Sequence, residues 1–181
     1  AVIQFLTSLI PRTGDVVLGL IVKTWPVVDR VAAYNDVFVI PHAIPRHAEM
    51  EFAFPIHDAA PVIRAFRDLV RSQQLNIGHI LEVRFVKRDN IWMSNNFDMD
   101  ACHITLLCQF RGAAVTRRYF ALFEDFCISR FGVKARAHWA KTFFRMAHPR
   151  NAFPKFAQWN ELRLKLGGKM FENKLIVDLV A

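Results

Sequence analysis

Two short clusters hold the residues of this chain best suited to chemistry. Leu81, Glu82, Val83, Arg84 and Phe85 alternate charged with apolar side chains, and His138, Trp139, Ala140 and Lys141 follow well downstream, after a helical stretch and a basic turn. Successive strand residues point to opposite faces, so Glu82 and Arg84 stand side by side on one face. A lone Glu-x-Arg is most simply a surface ion pair of little energetic value. Joined to an imidazole and an ammonium group, it reads as half of an active site.

The neighbouring segments strengthen that reading. His47 to Pro55 alternates Met50, Phe52 and Phe54 with Glu49, Glu51 and Ala53; Ala101 to Phe110 alternates Cys102, Ile104, Leu106 and Cys108 with His103, Thr105, Leu107 and Gln109. If the three strands share a sheet, one face is apolar and the other gathers Glu49, Glu51, Glu82, Arg84, His103, Thr105 and Gln109. Glu49 and Glu51 would line the cleft or pair with Arg84.

Two helices must position these strands. Asp58 is placed to cap the first, with Pro61 in its first turn and Val62, Phe66, Leu69 and Val70 at helical spacing before Gln73 and Gln74. The second spans Ala113 to Phe131, bounded by Gly112 and Gly132, with Val115, Tyr119, Leu122 and Phe126 as its apolar stripe. Val133 to Ala137 closes the order strand, helix, strand, strand, helix, strand. That is an α+β, split βαβ (ferredoxin-like) plan: an antiparallel sheet with both helices on its apolar face and its polar face available, followed by helical extensions. One extension, Pro154 to Leu166, stops at Gly167 and Gly168.

Composition bounds the function classes. The chain has 181 residues, 53% hydrophobic and including 17 Phe, enough for a sizeable core in one domain or one plus an extension. No apolar run reaches the roughly 18 residues of a membrane span, and residues 1–10 lack the basic start of a signal peptide. The 3 Cys read as buried free thiols, and the 7 His show no metal-ligand spacing. A net charge of +8 invites a nucleic-acid reading. The aromatics Phe52, Phe54 and Phe85, however, fall on the helix side, and the acidic polar face would repel phosphate. Arg64, Arg67, Arg71, Arg117 and Arg118 read as solvated helix faces, or as a surface for an acidic partner domain or anionic lipid.

Glu82-Val83-Arg84-Phe85, then Asp89, Ile91 and Ser94, the strand from Ala101, and His138-Trp139-Ala140-Lys141 together resemble the substrate (cap) domain of the aldonolactone oxidoreductases. These are flavin-dependent, vanillyl-alcohol-oxidase-like enzymes acting on L-gulono-, L-galactono- or D-arabinono-lactone. Phe153-Pro154-Lys155-Phe156, Leu162-Arg163, Leu166 and Met170-Phe171-Glu172-Asn173 are similar to the end of the same family, although Gly167-Gly168-Lys169 departs from its usual turn. The likeness spans roughly residues 45 to 176. It implies that residues 46–181 form the cap and that residues 1–45 link to an N-terminal FAD-binding domain absent from this sequence.

The resemblance also implies a reaction. The cap's sheet would cover the flavin of FAD and hold a sugar lactone, whose carbinol carbon passes a hydride while its hydroxyl loses a proton; the keto-lactone then enolises to ascorbate or an analogue. Glu82, Arg84 and Lys141 are the implied catalytic residues, with Arg84 and Lys141 also facing the cofactor, because cationic donors stabilise the negative charge that develops. His103, Thr105 and His138 are the implied substrate contacts. For His103 a structural role on the sheet stands equal to a catalytic one, and Trp139 reads as a packing residue. Implied partners are the FAD domain, the lactone, oxygen or a cytochrome as electron acceptor, and the periphery of a mitochondrial or endoplasmic-reticulum membrane, with no nucleic acid. An oxidase of alditols or hydroxy acids shares this chemistry. The alternative from another class is a non-enzymatic ferredoxin-like module that binds nucleic acid or protein through its basic surface.

Overall fold

His47–Pro55 forms a nine-residue strand, β1, that stands inside the sheet with its apolar side chains Met50, Phe52 and Phe54 wholly buried. The computed structural model describes residues 47–73, 81–109 and 113–181, together with positions 19–20, 23–24 and 33. The 1–45 segment (but for those five positions), Gln74, Phe110 and Gly112 therefore lie outside the described residues.

After β1 come helix α1 (Ala59–Ser72), β2 (Glu82–Val86), β3 (Ala101–Gln109), α2 (Ala113–Phe131) and β4 (Arg136–Ala137), then α3 (His148–Ala152), α4 (Phe156–Lys165) and α5 (Lys174–Val180). The strands form one antiparallel sheet in the order β2-β3-β1-β4, the α+β arrangement expected from the sequence. Val62 and Phe66 of α1 and Phe120, Phe123 and Cys127 of α2 meet the apolar face of β1 and β3. Phe123 sits edge-on to both Phe52 and Phe66, with ring centroids 6.0 and 4.9 Å apart. Each such side chain contributes about 1.5–3 kcal/mol by leaving water.

Five local expectations are corrected. The core stripe of α2 is Phe120, Phe123 and Cys127, while Val115 is exposed and Tyr119, Leu122 and Phe126 are only partly buried. The helix carries two apolar stripes one residue apart, and the one bringing Phe120 and Phe123 onto the sheet prevails. Asp58 occupies the N-cap position of α1 without a side-chain capping bond, because its own backbone is already helical; its carboxylate instead pairs with Lys134. The last strand is only Arg136–Ala137, since residues 132–134 form a 3-10 turn entered through Gly132 at φ +53°. Phe85 is in register with Cys102, on the helix side, yet it is 62% exposed because β2 is an outer strand.

The fifth correction concerns the polar face. It does not lie open at its centre: Glu51, Ala53, His103 and Thr105 are all buried. The helix ending at Lys165 behaves as expected, closing on Gly167 in the left-handed conformation at φ +84°.

Candidate active site

The strand register sets the site. Thr105 of β3 lies between Glu51 of β1 and Glu82 of β2, and on the next rung His103 lies between Ala53 and Arg84. Glu51 and Arg84 are thus diagonal neighbours across β3, a separation that a long arginine bridges. Arg84 Nη2 lies 2.7 Å from both carboxylate oxygens of Glu51, while its Nε is 3.4 Å from Glu82 Oε1. Thr105 donates its hydroxyl to Glu51 Oε2 at 2.8 Å, and His103 Nδ1 meets Oε1 at 2.8 Å.

Glu51 is consequently a buried carboxylate surrounded by donors. Burial pushes its carboxyl up, but the bonds from His103 and Thr105 and the charges of His138 and Arg84 outweigh that and hold it down at about 2. An ionised carboxylate only accepts hydrogen bonds, so the proton of the His103 contact sits on Nδ1. The other nitrogen of His103 meets Asn96 Oδ1 at 2.7 Å.

The second cluster reaches the same place because the chain after β4 continues along β1. The His138 amide donates to the Glu51 carbonyl and the Thr142 amide to the Glu49 carbonyl. The Ala140 amide donates to His138 Nδ1 at 3.2 Å, which leaves Nε2 to face Glu51 Oε1 at 4.0 Å. Burial lowers the His138 pKa, and the nearby positive charges of Lys141, His103 and Arg84 add to that against the pull of Glu51. Lys141 Nζ bonds Glu49 Oε2. The Glu49 carboxyl is held below its usual range: burial raises it, but the Lys141 bond and charge and those of His47 prevail.

The expected site residues therefore fall into two groups. Glu82, Arg84, His138 and Lys141 form a rim that is half-exposed to partly buried; the Arg84 side chain is 48% exposed, and its Nη1 has no protein acceptor among the described residues. His103 and Thr105 lie beneath, 5% and 1% exposed, with His103 Nδ1 and the Thr105 hydroxyl directed to Glu51 and His103 Nε2 facing Asn96. Glu51, the centre of the constellation, was placed on this face by its alternation alone. Asn96 carried no sequence signal.

The remaining motif residues build the frame. Asp89 accepts from the Ile91 amide and the Ser94 hydroxyl, and Ser94 Oγ accepts from the Asn96 amide, so this turn presents Asn96 to His103. Trp139 donates its indole N–H to the Met93 carbonyl at 2.7 Å and packs on Phe153 with centroids 4.6 Å apart, the packing role expected for it. The buried Arg136 guanidinium binds the carbonyls of Asn95, Phe97 and Ala152. Glu124, buried in α2, accepts from the amides of Phe144 and Arg145 and ties down the loop that follows Lys141. Among the described residues no group of three or more His, Cys, Asp or Glu could hold a metal ion.

Comparison with known proteins decides the family. A family model described as D-arabinono-1,4-lactone oxidase matches residues 1–178. The chain belongs to that family. The match includes the first 45 residues, over which the motif resemblance was only loose. Among curated proteins, the L-gulono-1,4-lactone dehydrogenases of two strains of Mycobacterium tuberculosis are 30% identical over 122 residues, 67% of this chain and 27% of theirs. The chain thus spans about a quarter of the length of the curated relatives it matches. It is a member of the aldonolactone oxidoreductases, the sugar-lactone oxidoreductase family that its two clusters suggested.

Proposed function

We propose that this chain is the substrate-facing part of a flavin-dependent sugar-1,4-lactone oxidoreductase, with residues 46–181 as the cap and residues 1–45 leading to the flavin-binding part. The observation that carries the proposal is the half-exposed guanidinium of Arg84, fixed by one nitrogen to the buried Glu51 and standing on the same polar face as Lys141.

The donor chemistry of this face fits a flavin ring. Arg84 and Lys141 offer N–H groups to ring carbonyls and nitrogens, which accept, so these two residues would lie against the ring. FAD, when bound, supplies the acceptor for the hydride of the lactone's carbinol carbon.

The chain's own residues do the rest. Arg84 and Lys141 stabilise the negative charge that grows as the substrate hydroxyl gives up its proton to solvent. Lys141, released from Glu49, hydrogen-bonds that hydroxyl. Glu82 accepts from neighbouring substrate hydroxyls and, 3.4 Å from Arg84 Nε, steadies the guanidinium. His138 presents Nε2 to the substrate, whereas His103 and Thr105 act through Glu51 from below. The keto-lactone formed enolises to ascorbate or an analogue.

The test is Arg84→Ala in the full-length, FAD-loaded protein, assayed with L-gulono-, L-galactono- and D-arabinono-1,4-lactone. Removing a transition-state donor typically costs about 10² or more in turnover. Loss of only about twofold would sink the assignment of Arg84.

A further inference from the structure

We infer that Glu51 is the positioning residue of this site: a buried carboxylate that presents Arg84 to the substrate, locks the His103 ring and holds Thr105. This rests on the functional reading above, because the groups it positions are those assigned to the lactone. Glu51 itself is 1% exposed and touches the open face only through its partners.

The argument is one of hydrogen-bond capacity. The carboxylate receives donors from two different strands: Arg84 Nη2 from β2 on both oxygens, and His103 Nδ1 and Thr105 Oγ1 from β3. His138, on the segment that follows β4, stands 4.0 Å away. An ionised carboxylate accepts all of them with no donor of its own. In a glutamine of the same shape the Thr105 hydroxyl could turn to accept, but the NH2 group would face Arg84 Nη2 in either orientation, because Arg84 touches both oxygens, and a guanidinium has only donors. Arg84 is the partner with the most room to leave, since nearly half of its side chain is exposed.

Charge gives the second line. Glu51 is the anion nearest His138, while Lys141, Arg84 and His103 oppose a proton there and Glu49 is occupied by Lys141 and His47. Removing the Glu51 charge takes away the anion that favours a proton on His138.

The experiment uses the full-length, FAD-loaded protein with Glu51→Gln and Glu51→Asp, following kcat and KM on an aldono-1,4-lactone and the His138 ring signals by NMR titration. Glu51→Gln should lower kcat roughly 10–100-fold, with a smaller change in KM, as loss of a group that orients catalytic residues does. His138 should then titrate at lower pH. Glu51→Asp keeps the charge but shortens the reach, so His138 should titrate near its wild-type pH while kcat still falls. A kcat within about twofold of wild type in either variant overturns the proposal, as does an unmoved His138 titration in Glu51→Gln. If the wild-type protein oxidises no aldonolactone, the functional reading fails by itself, and the titrations alone decide whether Glu51 governs its neighbours. Should Glu51→Gln not fold, the kcat of Glu51→Asp is decisive.

Discussion

Glu51 and Thr105 face each other across the β1–β3 ladder, and the Thr105 hydroxyl donates to Glu51 Oε2 at 2.8 Å. Both side chains lie at 1% exposure on the sheet face opposite the helices. A directly opposed pair on one face is the unit through which a sheet couples its strands. Here the pair is polar, and its partners are residues to which the proposed function gives the chemistry.

Thr105→Val keeps the shape and removes the hydroxyl. The ionised carboxylate then lacks one of its donors, so the variant should lose about 1–3 kcal/mol of unfolding free energy. Urea denaturation of variant and wild type measures it, with an unchanged denaturant slope marking a true stability effect.

Acid should destabilise the protein through Glu51 in particular. Its carboxyl falls from an ordinary 4.5 to about 2 on folding. A depressed folded value gives stability that is fully present above the unfolded pKa and is lost as pH falls from about 4.5 toward 2. The shift corresponds to about 3 kcal/mol. Unfolding free energies measured from pH 6 down to pH 2 should show a shallower decline in Glu51→Gln than in wild type; parallel curves would contradict this.

Lys141→Met removes the ammonium while retaining the apolar stem. On the proposed role, in which Lys141 polarises the reacting hydroxyl, kcat should drop about 10²-fold or more. Glu49→Gln, which weakens the tether on Lys141, should by contrast leave kcat within about tenfold of wild type, an upper bound set by one modest charged hydrogen bond. Steady-state kinetics on the same lactone compares them.

The loop after Lys141 depends on one carboxylate in α2. Replacing Glu124 by Gln weakens the charged acceptor of the Phe144 and Arg145 amides, bonds of a kind worth about 1.5–3 kcal/mol each. Hydrogen exchange at these two amides should accelerate, with the β1–β3 amides unaffected. Uniform acceleration across the sheet would instead mean general destabilisation.

Much of this was legible in the chain because strands and helices repeat with different periods. Alternation at Glu49 to Phe54 and Cys102 to Cys108 gave the faces, and the order of elements gave the antiparallel α+β plan. What escaped depended on three-dimensional competition. Periodicity could not choose between the Val115 and Phe120 stripes of α2, nor show that the Asp58 carboxylate prefers Lys134 to its own helix end. Nor could alternation reveal that Arg84, a turn ending at Asn96 and the segment after β4 converge on Glu51, because those contacts join residues remote in sequence.

The backbone bonds from His138 to Glu51 and from Thr142 to Glu49 make β1 a ruler for the site. Whatever happens to the length of the chain between Pro55 and Arg136, His138 and Lys141 are indexed to the two glutamates by rungs of a single strand. Insertions in the α1–β2 or β2–β3 connections can therefore reshape what surrounds this polar face while its chemical spacing is copied unchanged. A slip of β1 by one residue, in contrast, would turn Glu49 and Glu51 into the phenylalanine core and erase the site at once.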